Sequence, residues 1–261
     1  MGLMNKHHKR YNALDTKLPL HQNLGFAAME QYKLLRTNLS FVLPEDVKCP
    51  VIGVTSSVRG DGKSTTAVNL SYVLAMDGKR VLLIDGDLRL PSIAKKMGIH
   101  STPGLTNMLV AYNEESIEKY RSRVLDNWYI IPSGALPPNP SELLGSQKMQ
   151  KLLGALSEKF DYIVLDLPPV SVVADALAVS KLVTGMLLVV RQDYTDKKDL
   201  EVCVNHLELS GVKVMGCVLN DSKDKSIGKY NRYSGRYHYV YARSEEKKRA
   251  NGIYVLRNRS R

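Results

Sequence analysis

The residues with the clearest chemical use lie in Ser56-Ser57-Val58-Arg59-Gly60-Asp61-Gly62-Lys63-Ser64-Thr65. An apolar run, Val51-Ile52-Gly53-Val54-Thr55, precedes this segment, and a helical pattern starts at Ser64. Strand, glycine loop and helix in that order form the setting of a nucleoside-triphosphate-binding loop. Gly60 and Gly62 let backbone N–H groups close around phosphate oxygens. The helix start adds the positive end of its dipole. Lys63 can reach the β- and γ-phosphates, and the Ser64 hydroxyl can ligate Mg²⁺. Ser57, Asp61 and Thr65 complete the loop, so ATP with Mg²⁺ is the expected occupant. Ser57 stands where such loops usually carry their first glycine.

Two further segments put carboxylates at strand ends: Asp85-Gly86-Asp87-Leu88-Arg89, and Asp166-Leu167-Pro168-Pro169. Mg²⁺ prefers oxygen ligands and keeps several waters, so a few carboxylates near the phosphates are expected. Asp166 takes the metal-side role usual for an acid at this strand end. Asp85 and Asp87 invite a division of labour, one acid serving the metal and the other accepting a proton from a nucleophile. The alternative is that both acids cap a helix N-terminus and pair with Arg89.

Short, continuous apolar runs must position these groups. They occur at residues 51–55, 81–84, 162–165, 186–190 and 214–219, with helical segments between most of them. Such alternation predicts an α/β fold, a doubly wound and mostly parallel sheet covered on both faces. Ligands then bind at the carboxyl ends of the strands. A helix is expected over residues 27–41, and Asp77-Gly78-Lys79 reads as a helix stop. The expected organisation is a flexible arm at 1–25, a nucleotide-binding domain at 26–221 and a basic, tyrosine-rich tail at 222–261.

The chain has 261 residues and a net charge of +11. The last forty residues hold 12 Lys/Arg against 3 Asp/Glu, and the first twenty hold 4 against 1, which leaves the middle near neutrality. A nucleic-acid groove built into the folded body is therefore not expected. The basic tails suit an anionic membrane surface, nucleic acid, an acidic protein surface or plain solvation. No apolar run approaches a membrane span, and the start of the chain lacks the apolar stretch of a signal peptide. Cys49, Cys203 and Cys217 fit no disulfide or metal spacing, which suggests a reducing cytoplasm.

These motifs together resemble the bacterial tyrosine kinases of capsule and exopolysaccharide synthesis. The resemblance rests on Gly62-Lys63-Ser64-Thr65, on Val81-Leu82-Leu83-Ile84-Asp85-Gly86-Asp87-Leu88-Arg89-Leu90-Pro91, on Pro137-Pro138-Asn139-Pro140-Ser141-Glu142-Leu143-Leu144, and on a C-terminal tyrosine cluster. It implies a P-loop fold of the MinD/ParA group, although Val58 stands where those partition proteins carry a second lysine. It also implies Lys63 and Ser64 at phosphate and metal, Asp87 and Asp166 as Mg²⁺-site carboxylates, and Asp85 as base for an acceptor tyrosine. Asn220 would contact adenine. Glu30, Lys33 and Arg36 would form an oligomerisation helix, spaced to share one face, with Lys33 replacing an arginine. Many members of that family are fused to a membrane protein of the polysaccharide co-polymerase type. The resemblance therefore implies a separate membrane activator here, a homo-oligomeric ring and a place at the inner face of the cell membrane.

Tyr230, Tyr233, Tyr237, Tyr239 and Tyr241 fall within twelve residues, among Asn, Arg, Ser, Gly and His, with Tyr254 further on. Hydrophobic packing does not explain that pattern; presentation of hydroxyls as phosphate acceptors does. An aromatic, basic tail that stacks on RNA is the alternative. For the whole chain, the competing readings are an assembly-timing ATPase and a non-catalytic nucleotide-sensing scaffold.

Overall fold

The computed structural model describes residues 24–111, 117–222 and 252–256. The arm expected at residues 1–25 lies almost wholly outside them, and so do Tyr230, Tyr233, Tyr237, Tyr239 and Tyr241.

The helices are α1 (Phe26–Ser40), α2 (Lys63–Met76), α3 (Ile93–Met97), α4 (Leu105–Ala111), α5 (Pro140–Leu144), α6 (Gln147–Ser157), α7 (Asp175–Ala178) and α8 (Lys197–Leu209). The strands are β1 (Val51–Ser56), β2 (Val81–Asp85), β3 (Trp128–Ile131), β4 (Tyr162–Asp166), β5 (Gly185–Arg191), β6 (Val214–Ser222) and β7 (Gly252–Leu256). They form one sheet in the order β3-β2-β4-β1-β5-β6-β7. The first six strands run parallel, and β7 is antiparallel to β6.

Both faces of this sheet are covered, which is why its strands are apolar throughout rather than alternating. Along β2, Leu82 and Ile84 face a core shared with α6 and α8 through Met149, Leu153 and Leu207. Val81 and Leu83 face the opposite core with Leu35 of α1 and Val68, Leu70 and Val73 of α2. Helix α2 stops at Met76 because Gly78 supplies the left-handed turn, at φ +81°.

The sheet exceeds the five expected strands by two. Strand β3 carries the chain's single tryptophan, fully buried, with its indole N–H donating to Ser71 Oγ at 3.1 Å. Its four residues are too few to stand out as a run among the polar residues before them. Strand β7, which lies within the stretch expected as the tail, pairs Val218 with Val255 and Leu219 with Tyr254.

Candidate functional site

Strand β1 ends at Ser56, and the chain turns through residues 57–62 into α2. Gly60 and Gly62 have φ of +91° and +97°, conformations in which a side chain is strained. Space is equally restrictive. A Cβ on Gly60 would meet the Tyr194 hydroxyl at 2.8 Å, and one on Gly62 would meet Asn220 Nδ2 at 2.0 Å. Ser57 is not among the described residues with positive φ, so this position does not require glycine. Its hydroxyl donates to Asp61 Oδ2 at 3.3 Å.

Asp61 braces the loop. It also accepts hydrogen bonds from Val58 N (3.3 Å) and from Thr195 Oγ1 (2.8 Å). Burial pushes its carboxyl above the ordinary range, and these hydrogen bonds offset part of that. Tyr194 donates to the Arg59 carbonyl at 3.0 Å, so the turn after β5 clasps the loop at two points. Sequence reading misses this clasp, because Thr195 lies 134 residues from its partner. Asn220, beside Arg191 in the β5–β6 register, donates its amide to the Asp61 carbonyl at 2.7 Å. Its Nδ2 is thus directed at the backbone of the phosphate loop.

The carboxylates gather around Lys63. Its ammonium lies 2.7 Å from Asp87 Oδ2 and 3.4 Å from Asp166 Oδ1, and 3.3 Å from Ser64 Oγ. Burial works against this charge, but Asp166 and Asp87 outweigh it, and the lysine pKa is raised. Asp85 and Asp166 are the last paired residues of β2 and β4, and both are fully buried. Burial, followed by the charge of Asp166, pushes the Asp85 carboxyl up to about 7. Burial also raises Asp166, against the pull of Lys63.

Of the two alternatives for the paired acids, helix capping is realised in part. Asp85 Oδ2 accepts from the backbone N–H groups of Ser92 and Ile93, at 3.2 and 3.0 Å, where α3 begins. Asp87 Oδ1 accepts from Leu90 N at 3.0 Å. Arg89 pairs with neither acid and reaches Asp175 instead. Asp85 Oδ1 and Asp166 Oδ2 are buried with no hydrogen-bond partner. Two orphaned acid oxygens next to a buried lysine, a serine hydroxyl and a glycine cradle fit a phosphate-bound Mg²⁺. Among the described residues no three His, Cys, Asp or Glu side chains stand close enough to hold a metal alone, and an ion that shares phosphate and water ligands needs no such cage.

Lys96 lies outside the sequence motifs. It projects from α3 to within 3.4 Å of Thr65 Oγ1, and burial lowers its pKa. Leu167, after Asp166, is buried apolar packing against Gly86 and Gly53 and offers no hydroxyl. The residues expected on one face of α1 divide. Lys33 pairs with Glu30 at 2.7 Å, while Arg36 turns inward to the Val73 carbonyl (3.0 Å) and to Asp77 (3.1 Å).

A family model described as "AAA domain" matches residues 49–213. Tyrosine-protein kinase YwqD of Bacillus subtilis (strain 168) is 34% identical over 213 residues, which cover 81% of this chain and 88% of that protein. Three other proteins named as tyrosine kinases are much longer, and the chain spans 28%, 31% and 29% of them. The kinase domain of Escherichia coli tyrosine kinase ETK superposes with a TM-score of 0.68 at 30% identity, covering 74% of each chain. The cell division ATPase MinD of Pyrococcus furiosus gives 0.55 at 28% identity, covering 67% of this chain and 73% of that one. With an acid-ringed phosphate loop on a MinD-like sheet, and with this degree of likeness to YwqD, the chain belongs to the bacterial tyrosine-protein kinases.

Proposed function

We propose that this chain is an ATP-dependent protein-tyrosine kinase that phosphorylates the tyrosine cluster of its own C-terminal segment and regulates capsule or exopolysaccharide synthesis. The observation that carries this reading is Lys63 held between Asp87 and Asp166 at the phosphate loop, with an unpartnered Asp166 oxygen beside it. Kinship with named tyrosine-protein kinases supplies the acceptor class.

The backbone of residues 57–63 would cradle the phosphates, and Lys63 would turn from Asp87 to the transferring group. Ser64, Asp87 and Asp166 would hold Mg²⁺, which neutralises charge on the phosphate oxygens when bound. In the transfer, the bond between the γ-phosphorus and its bridging oxygen breaks, ADP leaves, and the tyrosine oxygen bonds to phosphorus. The phenolic proton must go to a base, because a phenol with a pKa near 10 is protonated at neutral pH. Asp85 is suited to accept it, since its carboxyl titrates at about 7 and its Oδ1 is free of protein partners. Asn220 would flank the adenine from the loop side.

The same reading includes assembly and a partner. Glu30, Lys33 and Arg36 would contribute to a ring of subunits, and a membrane protein of the co-polymerase type would act as activator. No helix among the described residues is long and apolar enough to cross a membrane. Each phosphotyrosine adds about −1.5 to −2 charge, so five would offset most of the tail's positive charge and loosen the assembly.

The test is anti-phosphotyrosine signal after incubation with Mg-ATP, comparing wild type with Lys63→Met. Signal in wild type alone supports the kinase. ATP hydrolysis without phosphotyrosine favours an assembly-timing ATPase, and neither activity favours a scaffold.

A further inference from the structure

The motif Pro137-Pro138-Asn139-Pro140-Ser141-Glu142-Leu143-Leu144 lies outside the phosphate loop and the acidic strand ends. Its serine nevertheless leads back there. Ser141, in the first turn of α5, donates its hydroxyl to Asp175 Oδ1. Asp175 is the first residue of α7 and is completely buried. The same carboxylate receives Arg89 in a two-point grip, Nε to Oδ2 at 2.8 Å and Nη2 to Oδ1 at 3.0 Å. Arg89 lies two residues beyond Asp87. One buried carboxylate thus joins the loop that carries Asp87, the segment that follows Asp166, and the proline-rich motif.

This junction matters because of what Lys63 must do. Lys63 itself fixes Asp87 Oδ2 at 2.7 Å. A lysine that turns to phosphate gives up that contact. Asp87 then keeps only what its own turn provides, the hydrogen bond from Leu90 N at 3.0 Å and the anchorage of Arg89. A planar guanidinium bound at two points to a buried carboxylate sets position and angle together, which a lysine ammonium does not.

We propose that Arg89 and Ser141 are positioning residues that act through Asp175 to hold the 87–90 turn, so that Asp87 keeps its place in the metal–nucleotide site once Lys63 has moved to phosphate. The inference rests on the reading of Asp87 as a metal-site carboxylate. It gives the proline-rich motif a role: α5 supplies the hydroxyl that completes the Asp175 junction.

The experiment uses the full chain and the variants Arg89→Lys, Ser141→Ala and Ser141→Thr. The readout is binding of a fluorescent ADP analogue, titrated with Mg²⁺ and repeated in EDTA, together with thermal unfolding. Arg89→Lys is expected to raise the half-saturating Mg²⁺ about tenfold, the low end of what outer-sphere partners of metal ligands cost. Ser141→Ala should raise it about two- to threefold by the same route, and Ser141→Thr should restore wild-type behaviour. Binding in EDTA should change less than about twofold in every variant, because the metal-free cradle is untouched. An unchanged Mg²⁺ requirement in Ser141→Ala and Arg89→Lys, with unfolding temperature alone lowered, would overturn the proposal and leave a purely structural latch. Equal losses with and without Mg²⁺ would overturn it as well. Should Arg89→Lys fail to fold, the two serine variants decide between these outcomes. Wild-type binding that ignores Mg²⁺ would instead sink the metal-site reading, and this inference with it.

Discussion

Asp85 and Asp166 face each other as the terminal pair of β2 and β4, two fully buried carboxylates on adjacent parallel strands. Like charges in that arrangement cannot both ionise cheaply, and a positive group or protonation must relieve them. Lys63 relieves Asp166 directly, at 3.4 Å. Asp85 shares an oxygen with the start of α3 and otherwise retains its proton up to about pH 7.

That arrangement has a pH signature. An aspartate that titrates higher in the folded chain than its ordinary value of about 3.9 favours the folded state while protonated. Its contribution is complete below about pH 4 and is lost as pH rises through about 7. In metal-free buffer, Asp85→Asn should therefore unfold several degrees higher than wild type at pH 8 and close to wild type at about pH 4. Unfolding temperatures that run parallel from pH 4 to 8 would contradict the strand-end pairing. If Asp85 is also the base, the same variant should lose on the order of 10²-fold or more in phosphotransfer rate.

Gly62→Ala meets two obstacles, the positive φ and the Asn220 amide 2.0 Å from the added carbon. The backbone conformation alone costs about 1–2 kcal/mol. The variant should lose nucleotide binding in a titration with a fluorescent ADP analogue. Adding Asn220→Ala should restore part of the stability, because it removes the collision but not the backbone strain. Full recovery in the double variant would show that φ at this position is unimportant.

The Thr195 hydroxyl is one of three donors to buried Asp61. Thr195→Val keeps shape and removes the donor, leaving a buried carboxylate oxygen short of a partner at a cost of about 1–3 kcal/mol. Lower unfolding temperature and weaker nucleotide binding should appear together, because Asp61 braces the phosphate loop. A stability loss with unchanged affinity would separate the clasp from the site.

The single tryptophan reports on strand β3. Trp128 is fully buried against Tyr72, 5.5 Å between ring centroids. Its fluorescence in the native chain should be blue-shifted and poorly quenched by iodide, with both properties lost on unfolding. Exposed-type emission from the folded protein would show that the edge strand is wrong.

How far the sequence reveals this protein depends on the distance over which each signal acts. Runs such as Val81-Leu82-Leu83-Ile84 reveal buried strands because both faces of a covered parallel sheet demand apolar residues. The phosphate loop is legible because its chemistry lies in neighbouring residues. Trp128-Tyr129-Ile130-Ile131 escapes notice because four residues make a weak periodic signal. Asp175 gives no signal, since its partners Arg89 and Ser141 lie 86 and 34 positions away. For Asp85 and Asp87 the sequence leaves metal chemistry and capping open; the structure gives Asp85 a capping contact at the start of α3, while Asp87 accepts from Leu90 N within its own turn.

The sequence by itself determined the covered parallel sheet, the glycine loop and the acidic strand ends, because hydrophobic burial and backbone freedom are properties of local stretches of chain. Tertiary structure alone decided which oxygens stay unpartnered, that Thr195 and Asn220 brace the loop, and that Arg89 turns to Asp175 rather than to its neighbouring acids. Those outcomes depend on packing between segments distant in the chain, where burial shifts a carboxylate and a few ångströms select its partner.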